Sequence, residues 1–270
     1  MIRNVLSIAG SDPSGGAGIQ ADLKSISANG AYGMAALTAL TAQNTQGVDG
    51  IELVTPDFVA AQITSVFADV RVDAVKIGMI ATADIASSVA DVLEAHKAVP
   101  VVLDPVMIAK GGAPLLAEDA IETLRSRLLP LARIVTPNLP EAAHLLGVPV
   151  ARTRDDMAAQ ARALTALGPD AALVKGGHLE EADSPDVLFD GADLHWVEAP
   201  RIATKNTHGT GCTLSSALAA HLAHGVPMAK AVARAKAYVA MAITDADALS
   251  VGQGHGPVHH FSELWRGLSA

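Results

Sequence analysis

Short apolar, β-branched runs alternate with stretches in which apolar residues recur every three or four positions, and this restricts the possible folds more than any other feature. Val5 to Ala9, Ala74 to Ile77, Val101 to Leu103, Ile134 to Thr136 and Ala171 to Lys175 have the length and content of buried strands. Thr82 to His96, Ala117 to Leu129, Leu139 to Leu146 and Thr210 to Ala223 have helical spacing. Strand–helix alternation of this kind builds right-handed crossovers and a mostly parallel sheet with helices on both faces, an α/β fold. Asp186 to Phe189 and Leu194 to Val197, joined through Asp190-Gly191, read as a hairpin attached to that sheet. No Pro/Gly/Ser linker or internal repeat divides the sequence, so residues 1–270 are expected to form one domain.

Composition removes several function classes. Half of the 270 residues are apolar and 17% are charged, enough to build a large core. A net charge of −9 with 3% aromatic residues supplies neither the cationic stripe nor the stacking platform of a nucleic-acid surface. The single cysteine, Cys212, cannot form an internal disulfide, which fits the cytoplasm. The apolar run Val5 to Gly10 is too short for a signal peptide. Ser25 to Val48 and Asn206 to Ala229 carry no Asp, Glu, Lys or Arg, yet their Asn, Gln, His and Gly content argues against a membrane span. A site that supplies its own backbone dipoles is one reason for such charge-free chain.

Each strand runs into a polar or glycine-rich segment: Gly10 to Gly18, Gln43-Asn44 after the run Ala35 to Thr41, Gly78-Met79, Asp104-Pro105, Pro137-Asn138 and Gly176-Gly177. Parallel sheets bind ligands beyond the carboxyl ends of their strands, so these loops line one candidate crevice; turn chemistry alone is the plainer reading of any single loop. Gly10 to Asp22, GSDPSGGAGIQAD, has the outer glycine spacing of a P-loop but lacks its lysine. Its Gly16 to Ala21 portion matches the loose dinucleotide pattern, without the expected acidic residue downstream. What remains is a loop that a ligand can approach closely, with Asp12 and Asp22 as nearby carboxylates; an exposed helix charge is the alternative for Asp22.

Asn206 to Ala220, NTHGTGCTLSSALAA, is more specific. Gly209 and Gly211 bracket Thr210 just before a helix of small residues, which makes an anion-binding nest of free N–H groups at a positive helix end. An ordinary N-cap at Thr210 is the alternative. Cys212 falls in the first turn, where the helix dipole lowers a thiol pKa. His208 is near it in sequence, but no third partner for a Cys/His nucleophile is visible, and the ten histidines have no zinc-site spacing.

Together, SIAGSDPSGGAGIQADLKSIS, TALTAQNTQGV, KIGM, DPVM, TPNLPEAA, VKGGH, NTHGTGCTLSSALAA and GPVHHF resemble the hydroxymethylpyrimidine/phosphomethylpyrimidine kinases of thiamine biosynthesis, nearly end to end. The resemblance implies a ribokinase-like three-layer sandwich that uses ATP and Mg2+. It implies that Gly209, Thr210, Gly211 and Cys212 form the anion hole and that Lys175 reaches the ATP phosphates. Asn138, Glu141 and Asp104 would organise magnesium and its waters, with Thr210 also on the nucleotide. Gln43 would read the aminopyrimidine edge, its amide offering both a donor and an acceptor, while Gly10, Ala17, Asp22, Met79 and Val106 complete the substrate pocket. Cys212 replaces the Asp base common in the wider superfamily, and as a thiolate it is a candidate base for the first of two phosphorylations. Expected partners are an aminopyrimidine, ATP and a second copy of the chain in a homodimer, with no nucleic acid and no membrane.

Three alternatives stand beside this reading. A pyridoxal kinase shares the fold and glycine motifs. A non-catalytic pyrimidine-binding module would have kept the pocket only, and an NAD-dependent oxidoreductase would need the missing ribose-binding acid.

Overall fold

The computed structural model describes residues 1–107 and 118–266. Its strands are β1 (Arg3–Ala9), β2 (Ala31–Leu37), β3 (Ala39–Gln43), β4 (Val48–Leu53), β5 (Ala74–Ile77), β6 (Val101–Leu103), β7 (Ile134–Val135), β8 (Ala172–Lys175), β9 (Asp186–Phe189) and β10 (Leu194–Val197). The main sheet has the order β10-β9-β8-β7-β6-β5-β1-β2, parallel from β2 to β8 with the antiparallel β9–β10 hairpin at one edge. This agrees with the α/β expectation.

Strands buried on both faces are apolar at nearly every position, and their alternation divides two cores. Val5, Ala74, Val102, Ile134, Leu173 and Leu188 point to helices α1 (Gly18–Ala28), α7 (Thr210–Ala223) and α8 (Met228–Thr244). Leu6, Ile8, Val75, Ile77, Leu103, Val135 and Val174 point the other way, to α2 (Pro56–Asp69), α3 (Ala83–Glu94), α5 (Leu139–Leu146) and α6 (Arg154–Thr165). Two short helices, α4 (Glu118–Thr123) and α9 (Ser262–Trp265), complete the set among the described residues. The result is three layers. α7 lies among α1, α8, β1, β5 and β6, and Thr213 to Ala220 are all buried. A helix enclosed in this way has no face for charge, which accounts for most of the charge-free stretch there.

Two expected elements differ. The run Ala35 to Thr41 is split: β2 ends at Leu37, and β3 belongs to a separate two-stranded sheet with β4. Thr38 makes the break, because its N–H donates to Ala9 O at 3.1 Å and its hydroxyl to Met79 O at 2.7 Å, while Val54 N–H donates to Thr38 O. Gln43 is thereby carried out along the small sheet instead of ending a strand of the large one. The helix expected over Ala117 to Leu129 is α-helical only at Glu118–Thr123, then π at Leu124–Leu128 and 3-10 at Leu129–Leu131; Ala117 lies outside the described residues. Pro130 gives no N–H and its ring crowds the carbonyl four residues back, so regular α geometry cannot run through it.

Candidate active site

The carboxyl ends of the parallel strands open onto a cavity of about 1180 Å³. At its centre is the start of α7. Gly209 is the N-cap, in the left-handed region at φ 77°, and no side chain caps the helix. A Cβ at that position would overlap Gly16 O, so glycine is required both by conformation and by space. Thr210 is not the cap; its hydroxyl turns back to Thr207 O at 2.7 Å. A first helical turn has N–H groups without intrahelical acceptors, and here nothing from the N-cap side chain occupies them.

Gly211 brings this turn against the charged part of the cavity: a Cβ there would sit 3.4 Å from both Asp104 Oδ2 and Lys175 Nζ. Lys175, at the end of β8, donates to Asp104 Oδ1 at 2.9 Å. Asp104 follows β6 and is further held by Thr136 at 3.2 Å and Ser215 at 3.3 Å. Burial opposes the charge on Lys175, but Asp104 and Glu141 outweigh it and hold the ammonium above its usual range. Asn138 and Glu141 form a capping box on α5: Asn138 Oδ1 accepts from Glu141 N–H at 2.9 Å and Glu141 Oε2 from Asn138 N–H at 2.8 Å. Burial, with Asp104 nearby, pushes the Glu141 carboxyl up to about 7 although Lys175 opposes the shift.

Gly10, Ala17, Gln43, Met79 and Val106 line the same cavity, Ala17 lying against the Gly209 turn. Gln43 Oε1 accepts from Thr41 at 3.2 Å, and a Cβ on Gly10 would overlap Met79, so the loop and the methionine fit closely. Asp22 is the exception among the expected residues. It is fully buried below the cavity and does not line it, and it is not an exposed helix charge either. Its carboxylate accepts from Ser7 at 2.6 Å, Ser216 at 2.8 Å and Lys76 at 2.8 and 2.9 Å. Lys76, which belongs to none of the sequence-predicted site residues, lines the cavity floor in β5. Burial opposes its charge, yet Asp22, Cys212 and Asp104 raise its pKa. A signal for it exists in the sequence: a lysine inside the otherwise apolar strand Ala-Val-Lys-Ile must have a buried counter-ion.

Cys212 lines the same cavity, but its thiol moves opposite to the helix-dipole expectation. Burial, together with the carboxylates Asp22 and Asp104, pushes it up to about 11 despite Lys76. The shift favours the thiol over the thiolate. His208 is engaged elsewhere, its Nε2 lying 2.8 Å from Asp12 Oδ2. His259 and His260 are packed inside, His260 against Thr213 at 3.0 Å and His259 edge-on to Trp265. Among the described residues no group of three or more His, Cys, Asp or Glu is arranged to hold a metal, and no helix is long and apolar enough to cross a membrane.

The family model for phosphomethylpyrimidine kinase matches residues 12–259. The hydroxymethylpyrimidine/phosphomethylpyrimidine kinase of Salmonella typhimurium is 58% identical over 97% of this chain and 98% of its own. The ADP complex of Bacillus subtilis pyridoxal kinase superposes with a TM-score of 0.89 at 36% identity, over 98% of this chain and 99% of that one. The phosphomethylpyrimidine kinase of Clostridium difficile does so with a TM-score of 0.78 at 42% identity, over 88% and 97%.

Proposed function

Since the chain belongs to the phosphomethylpyrimidine kinase family, we propose that it transfers the γ-phosphoryl group of ATP twice, first to 4-amino-5-hydroxymethyl-2-methylpyrimidine and then to the resulting monophosphate, in thiamine diphosphate biosynthesis. One observation carries the reading: the bare start of α7, with Gly211 against Lys175 and Asp104, opens into the same cavity that Gln43 lines. A phosphate-binding end and a heterocycle-binding end in one cavity suit direct transfer between two bound substrates.

In this mechanism Gln43 pairs with the aminopyrimidine edge, and Ala17, Met79 and Val106 pack the ring faces. Lys175 and the N–H groups of the Gly209–Cys212 turn neutralise the phosphoryl oxygens as charge shifts toward the leaving ADP. The hydroxymethyl oxygen forms the new bond to phosphorus as the bond from phosphorus to the β–γ bridging oxygen breaks. The upward shift of the Cys212 thiol disfavours a preformed thiolate as acceptor of the hydroxyl proton. Phosphoryl transfer depends mainly on alignment and charge stabilisation, so the proton can leave late, to a phosphoryl oxygen. In the second step the attacking phosphate is already largely anionic at pH 7, since its second pKa is near 6.

The donor set suits magnesium. Asp104 and Glu141 offer two carboxylates at the phosphate end without an all-protein cage, and Mg2+ commonly takes one or two carboxylates and completes its shell with phosphates and water. These two residues would hold it, with Asn138 fixing Glu141, and the ion would supply charge neutralisation on the polyphosphate.

We further infer that the chain acts as one domain, in the cytoplasm and as a homodimer. The test of the activity is a coupled ADP-release assay with hydroxymethylpyrimidine, its monophosphate and pyridoxal compared side by side. Turnover of the first two above the third is expected; none with either pyrimidine overturns the proposal. The fold likeness to a pyridoxal kinase at 36% identity favours a weaker second activity on pyridoxal.

A further inference from the structure

The loop before α1 and the turn before α7 lie nearly two hundred residues apart in the sequence, and one buried pair joins them. Asp12, in the loop before α1, is 1% exposed and His208, just before the Gly209 turn, is 9% exposed. Asp12 Oδ1 accepts from the Ser14 N–H and hydroxyl at 2.9 and 2.7 Å; Oδ2 accepts from Ala17 N–H at 2.8 Å and lies 2.8 Å from His208 Nε2. The carboxylate therefore sets the shape of the pyrimidine-side loop and binds it to the phosphate-side turn at one atom. These bonds and the histidine hold its pKa down to about 2 although burial opposes them, so it is ionised throughout the physiological range.

The histidine is fixed from behind. Its backbone N–H donates to Gly256 O at 3.0 Å, and a Cβ on Gly16 would press on its ring at 2.5 Å and on Pro257 at 3.2 Å. The same C-terminal segment reaches the loop after Gln43, where Gly254 and His255 N–H groups donate to Thr45 Oγ1 and O at 3.1 and 3.0 Å. It also holds Asn206, whose Oδ1 accepts from Gly256 N–H at 3.1 Å. Residues 254–257 thus contact both the loop after Gln43 and the chain that leads into His208.

We propose that Asp12 and His208 are positioning residues, a latch that holds the pyrimidine-side loop in register with the phosphate-side turn so that acceptor oxygen and phosphorus are aligned for transfer. The proposal rests on the kinase reading and deepens it. Neither residue needs to touch a reacting atom. A misplacement of about 1 Å between reacting groups costs on the order of 100-fold in rate. Releasing the latch should therefore lower kcat far more than it weakens either substrate alone.

The test compares the native chain with His208→Ala, which removes the ring, and His208→Gln, which returns a side-chain N–H donor. Expected for His208→Ala is a kcat lower by about 10- to 100-fold, with KM for ATP and for the pyrimidine each within about threefold of native, and partial recovery of kcat in His208→Gln. Amide exchange at Gly15–Gly18, measured without substrates, should be about 10-fold faster in His208→Ala. Native kcat in His208→Ala, an equal loss in kcat and both affinities without rescue by Gln, or unchanged exchange at Gly15–Gly18 would each overturn the latch. Failure of the kinase reading would be visible separately, as no turnover by the native chain, and the exchange measurement would still decide the latch.

Discussion

Two helices begin at the cavity with opposite solutions to the same problem. Every helix start exposes N–H groups. α5 satisfies its own, with Asn138 and Glu141 closing a reciprocal capping box. α7 does not: its N-cap is a glycine in the left-handed region, and no side chain makes a capping hydrogen bond to the turn. The difference separates two ways of handling a polyphosphate. A capped start has few donors to spare and contributes the charge of its acid, whereas a bare start contributes donors and no charge of its own. Chemistry at α7 should therefore depend on the space above the backbone, and chemistry at α5 on one carboxylate.

The largest expected effect breaks the comparison at its bare end. Gly211→Val places methyl groups where a Cβ alone would be 3.4 Å from Lys175 Nζ and Asp104 Oδ2. Gly211 is not in the left-handed region, so the fold should survive. Turnover should fall by at least about 100-fold, the scale of losing preorganised donors, with little change in thermal stability. Steady-state kinetics beside a thermal melt checks this, and near-native kcat would make the turn merely structural.

At the heterocycle end the effect should be smaller and selective. Gln43→Ala removes the amide expected to pair with the ring, leaving polar ring atoms unmatched at a cost of about 1 to 3 kcal/mol. KM for the pyrimidine should rise about 10-fold or more while KM for ATP stays near native. Equal changes for both substrates would remove Gln43 from pyrimidine recognition.

Much of this arrangement is legible in the sequence, for identifiable reasons. β5 and β6 and helices α5 and α7 have the bounds expected of them, because strand length and helical spacing are local properties. The glycine turn at 209–212 is legible because few other roles require that pattern. Electrostatics is not. The position of Cys212 at a helix start suggests a lowered pKa, but the reversal comes from burial with Asp22 and Asp104, which only the fold brings near it. Asp22 itself is expected in the pocket because of its motif, yet it pairs with Lys76 in an ion pair spanning 54 positions. The charge-free stretch around α7 reflects enclosure by neighbouring elements as much as the anion site. Thr38 ends a run that looks continuous because its partners, Ala9 and Met79, lie elsewhere in the sequence.

The raised pKa of the Cys212 thiol gives a pH test. Alkylation requires the thiolate, so the reaction of Cys212 with iodoacetamide should be slow at pH 7 to 9 and rise toward about 11, later than the usual thiol range near 8.5. Cys212→Ser should then slow both phosphorylations to a similar degree, by about 10-fold or less. An alkylation midpoint below 8, or a loss confined to the first step, would restore the thiolate as base.

The smallest effect belongs to the capped helix. Asn138→Ala removes the acceptor for Glu141 N–H, 2.9 Å away, while leaving the Glu141 carboxylate and its charge in place. Loss of an N-cap costs about 1 kcal/mol, which lowers Tm by roughly 2 to 4 °C in a chain of this size. Turnover should fall less than in Gly211→Val, because what α5 supplies is an acid that the substitution retains. If Asn138→Ala instead stopped turnover at an unchanged Tm, the capping amide itself would be acting on the nucleotide or its ion, and the division between a donor helix and an acid helix would fail.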